Sequence, residues 1–159
     1  MTYGNGTFVT AGNTGTIISS SNATTWTART SGTSQNLFGN TYGNGLFVAV
    51  GASGTILNSS DGISWTSRTS GTSTSLWGVG YGNGLYVVLG SSGTILTSSD
   101  GSTWTSRTSG TSQSIMKVAY GNGLFVVVGN AGTILTSSDG VTWTSRTSGT
   151  SGSLYNVTY

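Results

Sequence analysis

The residue types that carry most enzyme chemistry are scarce in this chain. Its 159 residues include no histidine, no cysteine and no glutamate, and the three aspartates are Asp61, Asp100 and Asp139. These aspartates are spaced 39 residues apart, so they occupy one position of a repeating pattern. Equivalent positions of a repeat rarely converge on one substrate that lies off the repeat axis.

Each familiar catalytic mechanism lacks a group that it needs. Glycoside hydrolysis normally uses two carboxyl groups that flank the bond. A serine nucleophile needs a base such as histidine, and metal catalysis needs clustered histidine, cysteine or carboxylate ligands. Lys117 is the only lysine. The sequence therefore predicts a protein that is not an enzyme and that uses no cofactor and no metal.

A 39-residue repeat sets the position of most remaining distinctive residues. The repeats run over about 3–41, 42–80, 81–119 and 120–158, without an insertion or deletion, and form one repeat domain over 1–159. The residues that recur at this interval are Tyr3, Tyr42, Tyr81, Tyr120 and Tyr159; Trp26, Trp65, Trp104 and Trp143; and Arg29, Arg68, Arg107 and Arg146.

Within a repeat the pattern predicts four short antiparallel strands. In the third repeat we expect strands at 75–81, 85–89, 94–98 and 103–108, joined by turns that contain Asn83-Gly84, Ser91-Ser92-Gly93 and Asp100-Gly101. The chain has 27 glycines and no proline, and no segment has helical periodicity. Four-stranded units of about 40 residues are typical of β-propeller blades, with a β-helical solenoid as the alternative.

The hairpin after the third predicted strand carries a family resemblance. Residues 59–65, Ser-Ser-Asp-Gly-Ile-Ser-Trp, resemble the Asp-box, or BNR, repeat of sialidase-like and photosystem-assembly-factor-like propellers, and the resemblance covers all four repeats. It implies non-catalytic roles, in which the aspartate and glycine stabilise the hairpin and the tryptophan packs between blades. The residues concerned are Asp61, Gly62, Trp65, Asp100, Gly101, Trp104, Asp139, Gly140 and Trp143.

The first repeat departs from this motif, and the chain ends are offset within the repeat. Asn22-Ala23 replaces Asp-Gly, so this hairpin is expected to be looser. Residues 154–159 supply a first strand with no second strand after it, and we expect it to complete the N-terminal blade within the chain or across two chains. The predicted fold is an all-β propeller with four blades per chain that completes an eight-bladed ring by dimerisation. A closed monomer, a filament or part of a longer array are the alternatives.

Charge and hydropathy restrict the partners. Charged residues make up 5% of the chain and the formal net charge is +2, which is too few cations for a nucleic-acid footprint. No apolar run is long enough for a membrane span, and no signal-peptide core is present. The compartment stays open, with an extracellular or virion-associated location favoured.

The first strand of each repeat is the most variable, so it is the candidate for recognition. Equivalent positions hold Phe38, Trp77, Met116 and Tyr155, and the next positions hold Gly39, Gly78, Lys117 and Asn156. First strands line the channel of a propeller, so we predict ligand contacts at Phe38, Trp77, Lys117 and Tyr155, against the alternative that these side chains only pack. The predicted function is multivalent glycan or surface recognition. The alternative is a structural or engineered scaffold that assembles as a ring or filament by strand exchange, without a ligand.

Overall fold

Four antiparallel sheets of four strands each make up the fold. The computed structural model describes all 159 residues, and strand order within every sheet follows chain order. The predicted all-β propeller fold with four-stranded blades is confirmed. Blade 1 contains β1 (Thr2–Gly4), β2 (Thr7–Ala11), β3 (Ile17–Ser20) and β4 (Thr27–Arg29); blade 2 contains β5 (Leu37–Gly43), β6 (Leu46–Gly51), β7 (Ile56–Ser59) and β8 (Thr66–Arg68). Blade 3 contains β9 (Leu76–Gly82), β10 (Leu85–Gly90), β11 (Ile95–Ser98) and β12 (Thr105–Arg107); blade 4 contains β13 (Ile115–Gly121), β14 (Leu124–Gly129), β15 (Ile134–Ser137) and β16 (Thr144–Arg146).

The first hairpin of each blade is set by an Asn-Gly pair. In blade 2, Asn44 and Gly45 have φ of 45° and 78°, and the ladder closes with Gly43 opposite Leu46. Positive φ at both central residues defines the two-residue turn that matches the twist of paired strands. The turn therefore fixes the register that places the second strand in the blade centre.

The hairpin between the third and fourth strands depends on one side-chain acceptor. The Asp61 carboxylate accepts the backbone N–H groups of Ile63 and Ser64, each at 2.8 Å, and the Ser59 hydroxyl at 2.9 Å. Asp100 and Asp139 make the equivalent bonds. In blade 3 this connection covers residues 99–104, so it is two residues longer than the predicted connection over 99–102.

The first-repeat hairpin keeps most of this network. The Asn22 side-chain oxygen accepts the backbone N–H groups of Thr24 at 3.0 Å and Thr25 at 2.9 Å. Ala23 adopts a φ of 59°, where a Cβ is strained. In blade 2 the Gly62 N–H donates to the Ser59 hydroxyl, whereas in blade 1 the Ser20 hydroxyl accepts from Asn22 instead. An amide oxygen can therefore replace the carboxylate as the acceptor in this turn.

Adjacent blades are held together by apolar cores and by a tyrosine seated on a glycine. The second strands of blades 2 and 3 are apolar and almost fully buried, whereas Val9 is the one fully buried residue of β2 in blade 1. Where blade 2 meets blade 1, a Cβ added at Gly4 would lie 2.1 Å from the ring of Tyr42. The same arrangement joins Tyr81 to Gly43 and Tyr120 to Gly82. The glycine is thus required by the approach of the next blade.

The four blades form an arc in which only neighbours along the chain share cores. The clusters join blades 1 and 2, blades 2 and 3, and blades 3 and 4. In the single chain, residues 154–159 form no ladder, and blade 1 has its own first strand in β1. The structure has no helix with the length and apolarity needed to cross a membrane.

The hydrogen bonds that the three aspartates accept predict that the stability of the fold decreases in acid. Backbone N–H donors, led by those of Ser64, Thr103 and Thr142, lower the pKa of Asp61, Asp100 and Asp139, to about 2 for Asp139. A lowered folded-state pKa gives stability that is present above the unfolded-state value near 3.8 and is lost as pH falls through the folded-state value. We expect wild-type stability to fall between pH 4 and pH 2.

The triple variant Asp61→Asn, Asp100→Asn, Asp139→Asn tests this response. It keeps the acceptor oxygen, as Asn22 does in blade 1, and leaves no side-chain carboxyl in the chain. Its urea midpoint should be nearly flat from pH 5 to pH 2, whereas Asp139→Ala should be destabilised at every pH. A wild-type slope in the triple variant would rule out this origin of the acid response.

Candidate functional site

A cavity lies on the concave face, where the first strands of the blades begin. Its volume is about 370 Å³, and no carboxylate lines it. The cavity brings together all four of the predicted ligand-contact residues. The lining residues are Phe38, Gly39, Trp77, Gly78, Val79, Met116, Lys117, Tyr155 and Asn156.

A β-bulge in the first strands of blades 2, 3 and 4 directs the large side chains of these strands. In blade 2, Leu37 pairs with Gly51 and Gly39 pairs with Val50, so Phe38 is left between two paired residues. Trp77 and Met116 occupy the same bulged position in β9 and β13. A bulge bends the strand and turns a side chain away from the regular alternation. The bulge recurs at the 39-residue spacing. No residue type at the bulged position is specific to a bulge, so the sequence analysis did not predict it.

Glycines allow the first strands to approach closely. A Cβ added at Gly39 would lie 3.1 Å from the Trp77 carbonyl oxygen, and one added at Gly78 would lie 2.3 Å from the Met116 carbonyl oxygen. The third equivalent position is Lys117, which is exposed at the side of the cavity. The cavity thus has two tight junctions followed by one cationic position.

The aromatic side chains are partly paired with each other and partly open. Phe38 and Trp77 stack with ring centroids 4.7 Å apart and an interplanar angle of 29°. The Trp77 indole N–H donates to the Ser91 hydroxyl at 3.0 Å, which fixes the orientation of the ring. Phe38 is 39% exposed and Tyr155 is 72% exposed. The cavity therefore offers aromatic faces to a flat or apolar group beside the Lys117 ammonium.

The Asp-Gly…Trp residues lie away from this cavity. Trp65, Trp104 and Trp143 pack against the three inter-blade cores. A Cβ at Gly101 would lie 2.5 Å from Leu46 of the preceding blade, and one at Gly140 would lie 2.5 Å from Leu85. These contacts give the motif residues a place in blade packing. No group of three His, Cys, Asp or Glu side chains is arranged as a metal site.

Polar grooves between adjacent blades are a second surface, which repeats along the chain. Three of them have volumes of about 620, 720 and 590 Å³ and contain Arg68, Arg107 and Arg146 among Ser, Thr and Gly residues. The Nε of Arg107 donates to Thr97, and that of Arg146 donates to Thr136. In blade 2 the equivalent residue is Asn58, whose amide donates to Gly101, and the buried Nε of Arg68 has no acceptor. The recurrence of arginine every 39 residues is the sequence feature that corresponds to these grooves.

Together, the sheets, the blade contacts and the concave cavity define a β-propeller arc with a central aromatic and cationic surface. The solved structure described as YCF48 bound to D1 peptide is similar, with a TM-score of 0.72 and 18% identity over 95% of this chain and 53% of that chain. YCF48 from Cyanidioschyzon merolae gives a TM-score of 0.68 and 16% identity over 97% of this chain and 60% of that chain. This chain thus spans between about half and three-fifths of the length of those proteins. It matches no protein-family model and no curated protein.

Substitution of Trp77 distinguishes an open cavity residue from a packing residue. Trp77 is half-buried and outside the blade cores, so Trp77→Ala should cost about 1 kcal/mol through loss of its stack with Phe38. Trp104→Ala removes a side chain packed against a core and should cost about 3 kcal/mol. Urea unfolding measures both free energies. Equal losses would assign Trp77 to structural packing.

Proposed function

We propose that this chain is a non-catalytic binding module whose concave cavity holds a segment of a partner protein. The observation that carries the proposal is the convergence of Phe38, Trp77, Lys117 and Tyr155 on one cavity that has no carboxylate in its lining. Such a surface suits a short segment with an aromatic or proline side chain next to a carboxylate.

The chemistry of the cavity supports this class of ligand. The stacked Phe38–Trp77 pair and the exposed Tyr155 ring offer apolar faces on both sides of Lys117. A carboxylate beside Lys117 meets no competing acid in the cavity, and the chain has a formal net charge of +2. One structural neighbour is described as bound to a peptide, which favours a polypeptide ligand here by analogy of fold.

Multivalent glycan recognition is the second candidate. Aromatic faces can stack on sugar rings, and the grooves between blades repeat a surface of Ser, Thr, Gly and one arginine. Repeated weak sites gain avidity when a ligand reaches several of them. A structural scaffold that binds no ligand is the remaining interpretation of these repeats.

Parallel screens of a short-peptide library and a glycan array test these functions. We expect peptides that carry a carboxylate and a ring side chain to bind. Trp77→Ala should weaken binding about tenfold, equivalent to about 1.4 kcal/mol, and Lys117→Gln about threefold with a smaller dependence on salt.

Ile63→Ser is the matched control, because Ile63 is 47% exposed and lies outside the cavity. Its affinity should equal that of the wild type. Sugar binding without peptide binding would favour the glycan candidate, and silence in both screens would overturn the binding proposal in favour of a scaffold.

A further inference from the structure

One side of blade 1 is an inter-blade face without its neighbour. Phe8 and Ile18 are half-buried, whereas the equivalent residues of blade 2, Phe47 and Leu57, are fully buried against blade 1. The aromatic and aliphatic composition of this face is that of the three completed cores. Blade 1 therefore presents the incoming half of a fourth core.

Blade 4 presents the complementary half. Val126 and Ile134 are half-buried, whereas Val48 and Ile56 at the equivalent positions of blade 2 are buried against blade 3. Burial of apolar surface gives about 25 cal/mol per Å², so two exposed half-cores favour association. The repeat makes the two halves match in the same way as the three cores already present.

Residues 154–159 already occupy the place of the next first strand. Tyr159 is seated on Gly121, where an added Cβ would lie 1.9 Å from its ring, as Tyr42 is seated on Gly4. The Leu154 N–H donates to the Gly129 carbonyl at 2.9 Å, as the Leu37 N–H donates to Gly12. This segment is docked on blade 4 and has no ladder partner on its other side.

The ladder of blade 1 lacks the partner that this segment would supply. β1 has three residues and pairs only as far as Val9, whereas β5 has seven and pairs through to Gly51. Ala11 and Gly12 therefore have no first-strand partner. The register of blade 2, shifted by whole repeats, would place Leu154 opposite Gly12 and Val157 opposite Thr10.

We infer that two copies of this chain close one eight-bladed ring, in which residues 154–159 of each copy become the first strand of blade 1 of the other. Residues 157–159 take the positions of residues 1–3 of the acceptor, so a six-residue strand replaces a short one. In a dimer of this 159-residue chain, each copy donates residues 154–159 and accepts a strand along β2, and two-fold closure pairs both edges.

This ring would extend the concave cavity. Its formation does not depend on which ligand the cavity binds. Tyr155 and Asn156, at the end of the aromatic run in one copy, would lie next to Phe38 of the second copy. The cavity of each copy is then bounded by the other copy, so the central surface contains the run twice.

Gly12→Ala tests the junction selectively. A Cβ at Gly51, Gly90 or Gly129 would lie 2.1 to 2.6 Å from a carbonyl oxygen of the residue before the first strand, but at Gly12 the nearest atom is 3.9 Å away. In the ring, Ser153 of the donating copy brings that carbonyl to Gly12. The substitution therefore fits the single chain and blocks the junction.

Light scattering should give twice the chain mass of 16.1 kDa for the wild type and 16.1 kDa for Gly12→Ala, with an unchanged circular dichroism spectrum. A monomeric wild type overturns the inference. So does a dimeric Gly12→Ala variant.

Disulfide formation tests the register without relying on Gly12→Ala, because the chain has no cysteine of its own. A mixture of Thr10→Cys and Val157→Cys chains should form a disulfide-linked heterodimer on mild oxidation, since directly opposed residues have Cα separations suited to a disulfide. A mixture of Thr10→Cys and Thr158→Cys is the control, since one residue of slip turns the side chain to the other face.

The double variant Thr10→Cys, Val157→Cys shows how the ring closes, because each chain then carries both cysteines of the junction. A covalent dimer on a denaturing gel supports the two-fold ring. Linkage within one chain would show that four blades close alone, and a ladder of larger masses would show an open filament; either result overturns the inference.

Discussion

The structure depends on one constraint, which is that a blade has two apolar faces and cannot bury both by itself. Tyr86, Val87, Val88 and Leu89 of β10 are all buried, and they alternate between the core shared with blade 2 and the core shared with blade 4. Each blade is thus completed only by its neighbours on both sides. Turns, glycines and loop lengths all serve to present these faces at a constant pitch.

Much of this arrangement could be predicted from the sequence, because the residues that determine it act locally. Asn-Gly pairs specify the first hairpin, and apolar runs such as β10 specify the buried second strand. The bulges at Phe38, Trp77 and Met116 could not be predicted, because the residue types at these positions do not distinguish a bulge from regular pairing. The docking of residues 154–159 against blade 4 likewise depends on a tertiary contact, the seat of Tyr159 on Gly121.

The candidate site, too, could be predicted in part from the sequence. Divergence among otherwise matched repeats identified the large side chains of the first strands, and the bulges bring them to a common cavity. The arginine grooves could not be assigned to binding from divergence in the same way, because an arginine that repeats without change resembles a residue kept for the fold. Arg68 shows that sequence identity at such a position does not fix its environment, since Asn58 leaves its Nε without the acceptor that Thr97 provides in blade 3.

The same repetition that builds the arc restricts where recognition can arise. A substitution at Gly43, at Gly82 or in the buried second strand of a blade disturbs the contact between two blades. Packing therefore restricts which residues these positions can accept. The bulged residue projects out of the ladder, and Trp77 can differ from Phe38 and Met116 without altering a core. The fold therefore tolerates variation at the bulge, where the side chains line the shared cavity. A repeat protein of this kind can gain a distinct binding site only where its copies are free to differ.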